Sequence, residues 1–193
     1  LRGEGVREWN FSLRGMTDRR LLAAAVLACE KEVWDRCINT SDRTRGEIDI
    51  DQRFPMPFRT EVQARARDIG LDPAYVYGLI RQESRFVMDA RSGVGASGLM
   101  QIMPATAKWV ARRSGMRGYR AEHVNDVQVN VTLATHYLKG VLDRFGSPVL
   151  ALAAGLLVAG SVHVAKAGAF RPVVTATTGG MGNVPVSIAE DVV

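Results

Sequence analysis

The sequence predicts an all-α protein, on three observations. Apolar residues recur every three to four positions along its longest continuous segments, the spacing that gathers them on one face of a helix. Helix start and stop residues punctuate those segments, with Asp72-Pro73 at one beginning and Gly70 and Gly146 at two ends. Up to about residue 154 no pair of alternating runs reads as a hairpin, and no internal repeat or heptad pattern appears.

Taken in order, Arg2 to Leu13 reads as a first helix and Asp18 to about Asn39 as a second, with Thr17 or Asp18 as its cap. In this second helix Leu22, Val26, Cys29, Val33 and Cys37 form the inner stripe, while Glu30, Lys31, Glu32, Asp35 and Arg36 fill the outer face. The stretch Arg19 to Cys29 also looks like a short secretion signal ending in a lipoprotein cysteine. Its apolar run is short and eighteen residues precede it, so helix is the better reading. Thr40 to Phe58 is polar and then breaks at Phe54-Pro-Met-Pro-Phe58, where two prolines forbid helix, and a domain boundary is expected there. Thr60 to Ile69 is a helix closed by Gly70.

Asp72 caps a helix that should run from Pro73 to about Val87. A loop comes next, Ser92-Gly-Val-Gly-Ala-Ser-Gly98, then Leu99 to Met103, and Pro104 starts a helix through about Arg113. Asp126 to Phe145 reads as a long amphipathic helix with Val127, Val131, Ala134, Leu138, Val141 and Phe145 inward. Ser147-Pro148 caps a further one. From Val149 to Val193 the charged residues are only Lys166, Arg171, Glu190 and Asp191, and no helical period emerges.

With 193 residues and 47% hydrophobic composition the chain can bury one good core, or one domain and part of another. A net charge of +5 and a pI near 9.6 suit an anionic partner without choosing among nucleic acid, a membrane surface and the cell wall. The basic residues look scattered, with short pairs such as Arg19-Arg20 and Arg112-Arg113, which reads as a solvated face rather than a nucleic-acid stripe. Cys29 and Cys37 have no metal-ligand spacing; two buried thiols are the default, and a disulfide between neighbouring helices is the alternative. His123, His136 and His163 stand alone, as structural or surface residues. No apolar run is long enough to span a membrane. The first residue is Leu, so the chain reads as a fragment, silent about export.

The chemistry centres on one carboxylate. Val76, Ile80, Glu83 and Val87 recur at spacings of four, three and four, which places Glu83 on an apolar helix face. A glutamate there either pairs with Arg81 or Arg85, or snorkels outward, or keeps its proton to a higher pH than a solvated one because desolvation disfavours the charge. The last behaviour suits an acid for glycosidic bond cleavage. The glycine-rich loop just beyond it, where backbone approaches a ligand closely, and the mixed run Met100-Gln-Ile-Met103 favour that reading. Asp89 is the nearest downstream carboxylate and the candidate second group of an ordinary hydrolase, but it lies beyond the expected helix end.

Tyr77-Gly-Leu-Ile-Arg-Gln-Glu-Ser-Arg-Phe86 and Gly95-Ala-Ser-Gly-Leu-Met-Gln-Ile-Met-Pro104 resemble the Glu-Ser and Gly-Leu-Met-Gln motifs of the soluble lytic murein transglycosylases, whose SLT catalytic domain has a goose-type-lysozyme-like fold. Asn125, Asn130, Tyr137-Leu138 and Phe145-Gly146 are similar to the family's next helix. Trp34 to Thr40 and Arg53 to Phe58 resemble the last helices of the α-superhelical domain that precedes catalysis in its long members. The resemblance implies residues 1–58 as the end of that domain, 59–154 as the catalytic domain and 155–193 as a divergent tail. It implies Glu83 as the catalytic residue, with Ser92, Gln101 and Met103 binding substrate, although core packing is an equal reading of Met103. It further implies peptidoglycan glycan strands as partner, a periplasmic location, and no metal, cofactor, nucleic acid or integral membrane segment.

The family's third motif, Ala-Tyr-Asn-Ala-Gly, is replaced here by Leu152-Ala-Ala-Gly-Leu-Leu-Val-Ala-Gly160. A reading-frame change after Ala154 would account for so abrupt a loss, and resequencing the coding DNA for the missing Tyr-Asn in another frame tests it. Four functions compete from these observations: a lytic transglycosylase, a catalytically impaired peptidoglycan-binding fragment, a hydrolytic lysozyme and, a distant fourth, a nucleic-acid binder.

Overall fold

A computed structural model of the chain describes residues 2–146. Among them the order is α1 (Arg2–Ser12), α2 (Asp18–Glu30), α3 (Trp34–Ser41), α4 (Ile50–Arg53), α5 (Arg59–Asp68), α6 (Pro73–Glu83), α7 (Pro104–Arg113), a 3₁₀ turn (Ala121–Asn125) and α8 (Val127–Phe145). The described residues contain no strand, only isolated bridges of Ser97 with Arg91 and with Ile102. None of their helices is long and apolar enough to cross a membrane. The Ser147-Pro148 cap, the tail from Val149 and the missing third motif lie outside the described residues.

The long helix expected from Asp18 to Asn39 is two helices. α2 stops at Glu30 because Glu32 adopts the left-handed conformation, φ 56°. Glu32 N–H then bonds Cys29 O at 2.9 Å and Val33 N–H bonds Ala28 O at 2.9 Å, the paired bonds of a Schellman closure. Glycine is the usual residue at that position, and a glutamate there left no sign in the sequence. The turn brings Cys29 and Cys37 together, and they are joined in a disulfide, which corrects the expectation of two free thiols. The inner face of α2 is also rotated by one residue: Leu21, Ala25 and Ala28 are buried, while Val26 and Val33 are exposed.

Other boundaries follow the residues that set them. α5 ends with Gly70 at φ 66°, Gly70 N–H on Arg67 O at 3.0 Å and Leu71 N–H on Ala66 O at 2.8 Å. Asp72 caps α6 by accepting from Ala74 N–H at 2.8 Å, with Pro73 at the first helical position. Asp126 Oδ1 accepts from Val129 N–H at 2.9 Å at the head of α8. On α8 the buried residues are Asn130, Val131, Leu133, Ala134 and Thr135; of the expected stripe only Val131 and Ala134 are among them, and Phe145 is exposed.

The chain divides into two compact units. The first comprises Leu1–Arg91 and Gly95–His136 and holds every residue named as buried core. In the second, the described residues are Ser92–Val94 and Tyr137–Gly146. Within the first unit α5 packs on α6, and α2 packs on α3 and α4.

Candidate active site

Glu83 is the last residue of α6, so the helix stops four residues short of the expected Val87. The chain turns there because Ser84 leaves helical geometry at φ −133° and Arg85 and Phe86 are both left-handed, at 49° and 65°. Each such residue costs on the order of 1 kcal/mol or more. The turn is held by Phe86, whose N–H donates to Ser84 Oγ at 3.1 Å and whose ring is buried against Tyr77, 6.1 Å between centroids. Burying a phenylalanine contributes about 2–3 kcal/mol, enough to offset much of that strain. Val76 and Ile80 are buried as expected, but Glu83 stands at the exposed end of their stripe.

Neither flanking arginine pairs with Glu83. Arg81 donates from Nε to Arg53 O at 2.7 Å and from Nη2 to both carboxylate oxygens of Asp42 at 3.0 Å, and its guanidinium lies 4.7 Å from the centre of the Phe54 ring. Arg85 donates to Asn39 Oδ1. Tyr77 O–H donates to Pro57 O at 3.0 Å. All three tie α6 and the turn after it to the segment 39–57 and leave Glu83, among the described residues, with no hydrogen bond or ion pair.

Desolvation raises the Glu83 pKa above the ordinary 4.5. Glu83 is nonetheless an exposed residue as a whole. The two facts are compatible: water covers part of the side chain while protein excludes it from another part, and the second effect acts on the proton. The direction and its cause, desolvation, are the ones expected from sequence, although Glu83 sits at the end of the helix rather than in the middle of its apolar stripe.

The loop after α6 is built around Asn130. From α8 its Oδ1 accepts Met100 N–H at 2.9 Å, and its Nδ2 donates to Ser97 O at 3.2 Å and Val124 O at 2.8 Å. Gly98, at φ 82°, sits so close that a Cβ there would lie 2.1 Å from Asn130 Nδ2 and 2.7 Å from Val124 O. In the sequence Asn130 falls within the family pattern without a role of its own. The signal was a polar residue at helical spacing from Val127 and Ala134.

Gln101 has φ 45° and gives its amide nitrogen to Ala90 O at 3.1 Å and Gly98 O at 2.9 Å. Two carbonyl acceptors fix which end of the amide is nitrogen, so Oε1 is the end that can accept from a ligand. Gln101 therefore braces the loop to the turn beyond Glu83. Met103 is 41% exposed at the head of α7, which removes core packing as its role. Ser92 is half-buried and belongs to the second compact unit. Asp89 is exposed in the turn beyond α6.

A carboxyl without a partner among the described residues and biased toward its protonated form, at a helix end pinned by an arginine clamp and followed by a glycine loop braced by Asn130 and Gln101, is equipped for proton transfer. The family model of the transglycosylase SLT domain matches residues 61–168, more than half of the chain. The chain belongs to that family. The SLT match takes in α5 to α8 and runs past Ala154, where the recognisable motifs stop. The soluble lytic murein transglycosylase of Escherichia coli K12 is 27% identical over 141 residues, 72% of this chain and 22% of the relative. The transglycosylase of enterobacteria phage PRD1 is 36% identical over 93 residues, 48% of this chain and 32% of the relative. Among solved structures, an inactive Glu-to-Gln mutant of the lytic transglycosylase Slt from Pseudomonas aeruginosa is similar with a TM-score of 0.68 and 36% identity, over 75% of this chain and 24% of that one. This SLT chain thus spans only about a quarter of the length of its long relatives, and its described fold is the helical, lysozyme-like one they share.

Proposed function

We propose that the chain is a peptidoglycan lytic transglycosylase that cleaves the β-1,4 bond between N-acetylmuramic acid and N-acetylglucosamine, with Glu83 as its single catalytic acid and base. The observation that carries this is the Glu83 carboxyl, without a partner among the described residues, biased toward its protonated form and flanked by two arginines committed elsewhere. In the P. aeruginosa relative, a mutant with one glutamate changed to glutamine is inactive, which supports a carboxyl-dependent reaction. Protonated Glu83 donates to the glycosidic oxygen as the C1–O bond breaks, and the substrate's own N-acetyl group supports the anomeric carbon. Ionised Glu83 then takes the proton of the muramoyl C6 hydroxyl, whose oxygen attacks C1 and closes a 1,6-anhydro ring. No water is consumed.

In this reading Gln101 accepts from a sugar group through Oε1, Met103 supplies an adaptable apolar wall, and Ser92 contributes a hydroxyl. Residues 1–58 are the end of a superhelical domain whose Asp42, Arg53 and Phe54 hold α6, and residues 59–154 form the catalytic domain. The substrate sets the location as periplasmic. The absence of the family's Tyr-Asn motif after Ala151 favours a second reading, an impaired fragment that binds strands without cutting them.

Mass spectrometry of products from purified sacculi separates these. The proposal expects 1,6-anhydromuropeptides from the wild type and none from Glu83→Gln. Binding without products supports the impaired fragment, reducing-end muramic acid supports a hydrolytic lysozyme, and equal anhydro release by both proteins removes Glu83 from the reaction.

A further inference from the structure

The charge of the chain is not spread evenly. Of its 25 basic and 20 acidic residues, five basic and no acidic ones fall in residues 104–120, so the remainder is balanced and this segment carries the whole formal +5. The fold concentrates the effect. Along α7, Ala107, Val110 and Ala111 are buried, which turns Ala105, Lys108, Trp109, Arg112 and Arg113 together onto the exposed side. Arg117 and Arg120 come in the next loop and are also exposed.

Two details make this face unlike an ordinary solvated helix. Trp109 is 54% exposed, and the Arg113 guanidinium stands 5.6 Å from its ring centre, so a large aromatic surface is presented to water beside a cation. Among the described residues Lys108, Arg112, Arg113 and Arg117 form no ion pair, whereas Arg120 is paired with Glu122 at 2.9 Å. The face starts directly after Met103 and extends about 15 Å along α7.

From this we infer that the exposed face of α7 is an accessory binding surface for peptide-bearing glycan strands, where Trp109 stacks on the apolar face of an N-acetylated sugar and Lys108, Arg112 and Arg113 pair with carboxylates of the strand's peptides. The identity of the ligand rests on the function proposed above; the existence of an anion-binding aromatic face rests on α7 alone. Carboxylates on flexible peptides match spaced single cations, and a ring stacked on sugar matches a polymer of hexosamines better than the phosphate backbone of a duplex. Along the sequence these basic residues look scattered, because only the helix period gathers Lys108 with the Arg112-Arg113 pair.

Co-sedimentation of the full chain with purified sacculi tests the inference. At about 0.1 M salt, Arg112→Glu/Arg113→Glu should lower retention about tenfold and Trp109→Ala a few-fold, with thermal unfolding unchanged. Arg112→Lys/Arg113→Lys should retain binding, and in about 1 M salt the difference between the charge-reversed and wild-type chains should vanish. Wild-type retention by the folded Trp109 and Arg112/Arg113 variants overturns it. So does tighter binding of the wild type to duplex DNA than to sacculi at the same salt. Anhydromuropeptides are counted in the same incubations: retention that depends on α7 without products fails the proposed function alone, and products without that dependence fail this inference alone.

Discussion

The end of α6 and the loop from Gly95 to Met103 lie on either side of one short turn, and they treat polar groups in opposite ways. In the loop Asn130 spends its oxygen and its nitrogen on three backbone partners, Gln101 spends its nitrogen on two, and Gly98 gives up a side chain to let them in. At the end of α6 the neighbours of Glu83 are equally committed, Arg81 to Asp42 and Arg85 to Asn39, yet Glu83 itself has no partner among the described residues. Satisfied groups give a fixed frame, and an unsatisfied one gives reactivity. A group free to exchange a proton is useful only where everything around it is already bonded.

Breaking the frame should cost most. Gly98→Ala puts a Cβ against Asn130 and Val124 O at a left-handed φ, and should destabilise the protein by about 3 kcal/mol or more in denaturant unfolding. A loss under about 1 kcal/mol would mean that the loop has room the geometry denies. Asn130→Ala leaves Met100 N–H and the Ser97 and Val124 carbonyls buried without their partner, at about 2–4 kcal/mol in the same measurement. Arg81→Ala removes the Asp42 pair, the Arg53 carbonyl bond and the contact with Phe54, and should cost about 1–2 kcal/mol. A double-mutant cycle with Asp42→Ala should return a coupling of about 1 kcal/mol, since the pair is partly shielded from water; no coupling would detach α6 from α3.

The smallest effect has the opposite sign. Because folding raises the Glu83 pKa, its contribution to stability is fully present below the pKa of the unfolded chain and is lost as pH rises through the folded pKa. Glu83→Gln should therefore be slightly more stable than the wild type at neutral pH and no more stable well below pH 4.5, as read from melting curves across pH. A variant less stable at neutral pH would show that the carboxylate has a favourable partner.

What the sequence disclosed and what it hid divide along a physical line. Local signals were legible: Pro104 opening α7, Asp72 with Pro73 opening α6, Gly70 closing α5, and the carboxyl on the stripe of Val76 and Ile80. Boundaries set by tertiary contacts were not. Nothing local marks Glu32, Arg85 or Phe86 as left-handed, and their conformations follow from the disulfide turn and from the burial of Phe86 on Tyr77. The bracing of Gln101 and the clamp through Arg81 join residues 11 and 39 positions apart, beyond any periodicity argument.

Glu83, without a partner among the described residues and held toward its protonated form by desolvation, is the proposed reactive group. Carbon-13 NMR titration of the glutamate side chains, with Glu83→Gln to assign the missing resonance, tests it most directly. The account predicts a Glu83 midpoint above the ordinary 4.5. A midpoint at or below that value would contradict it.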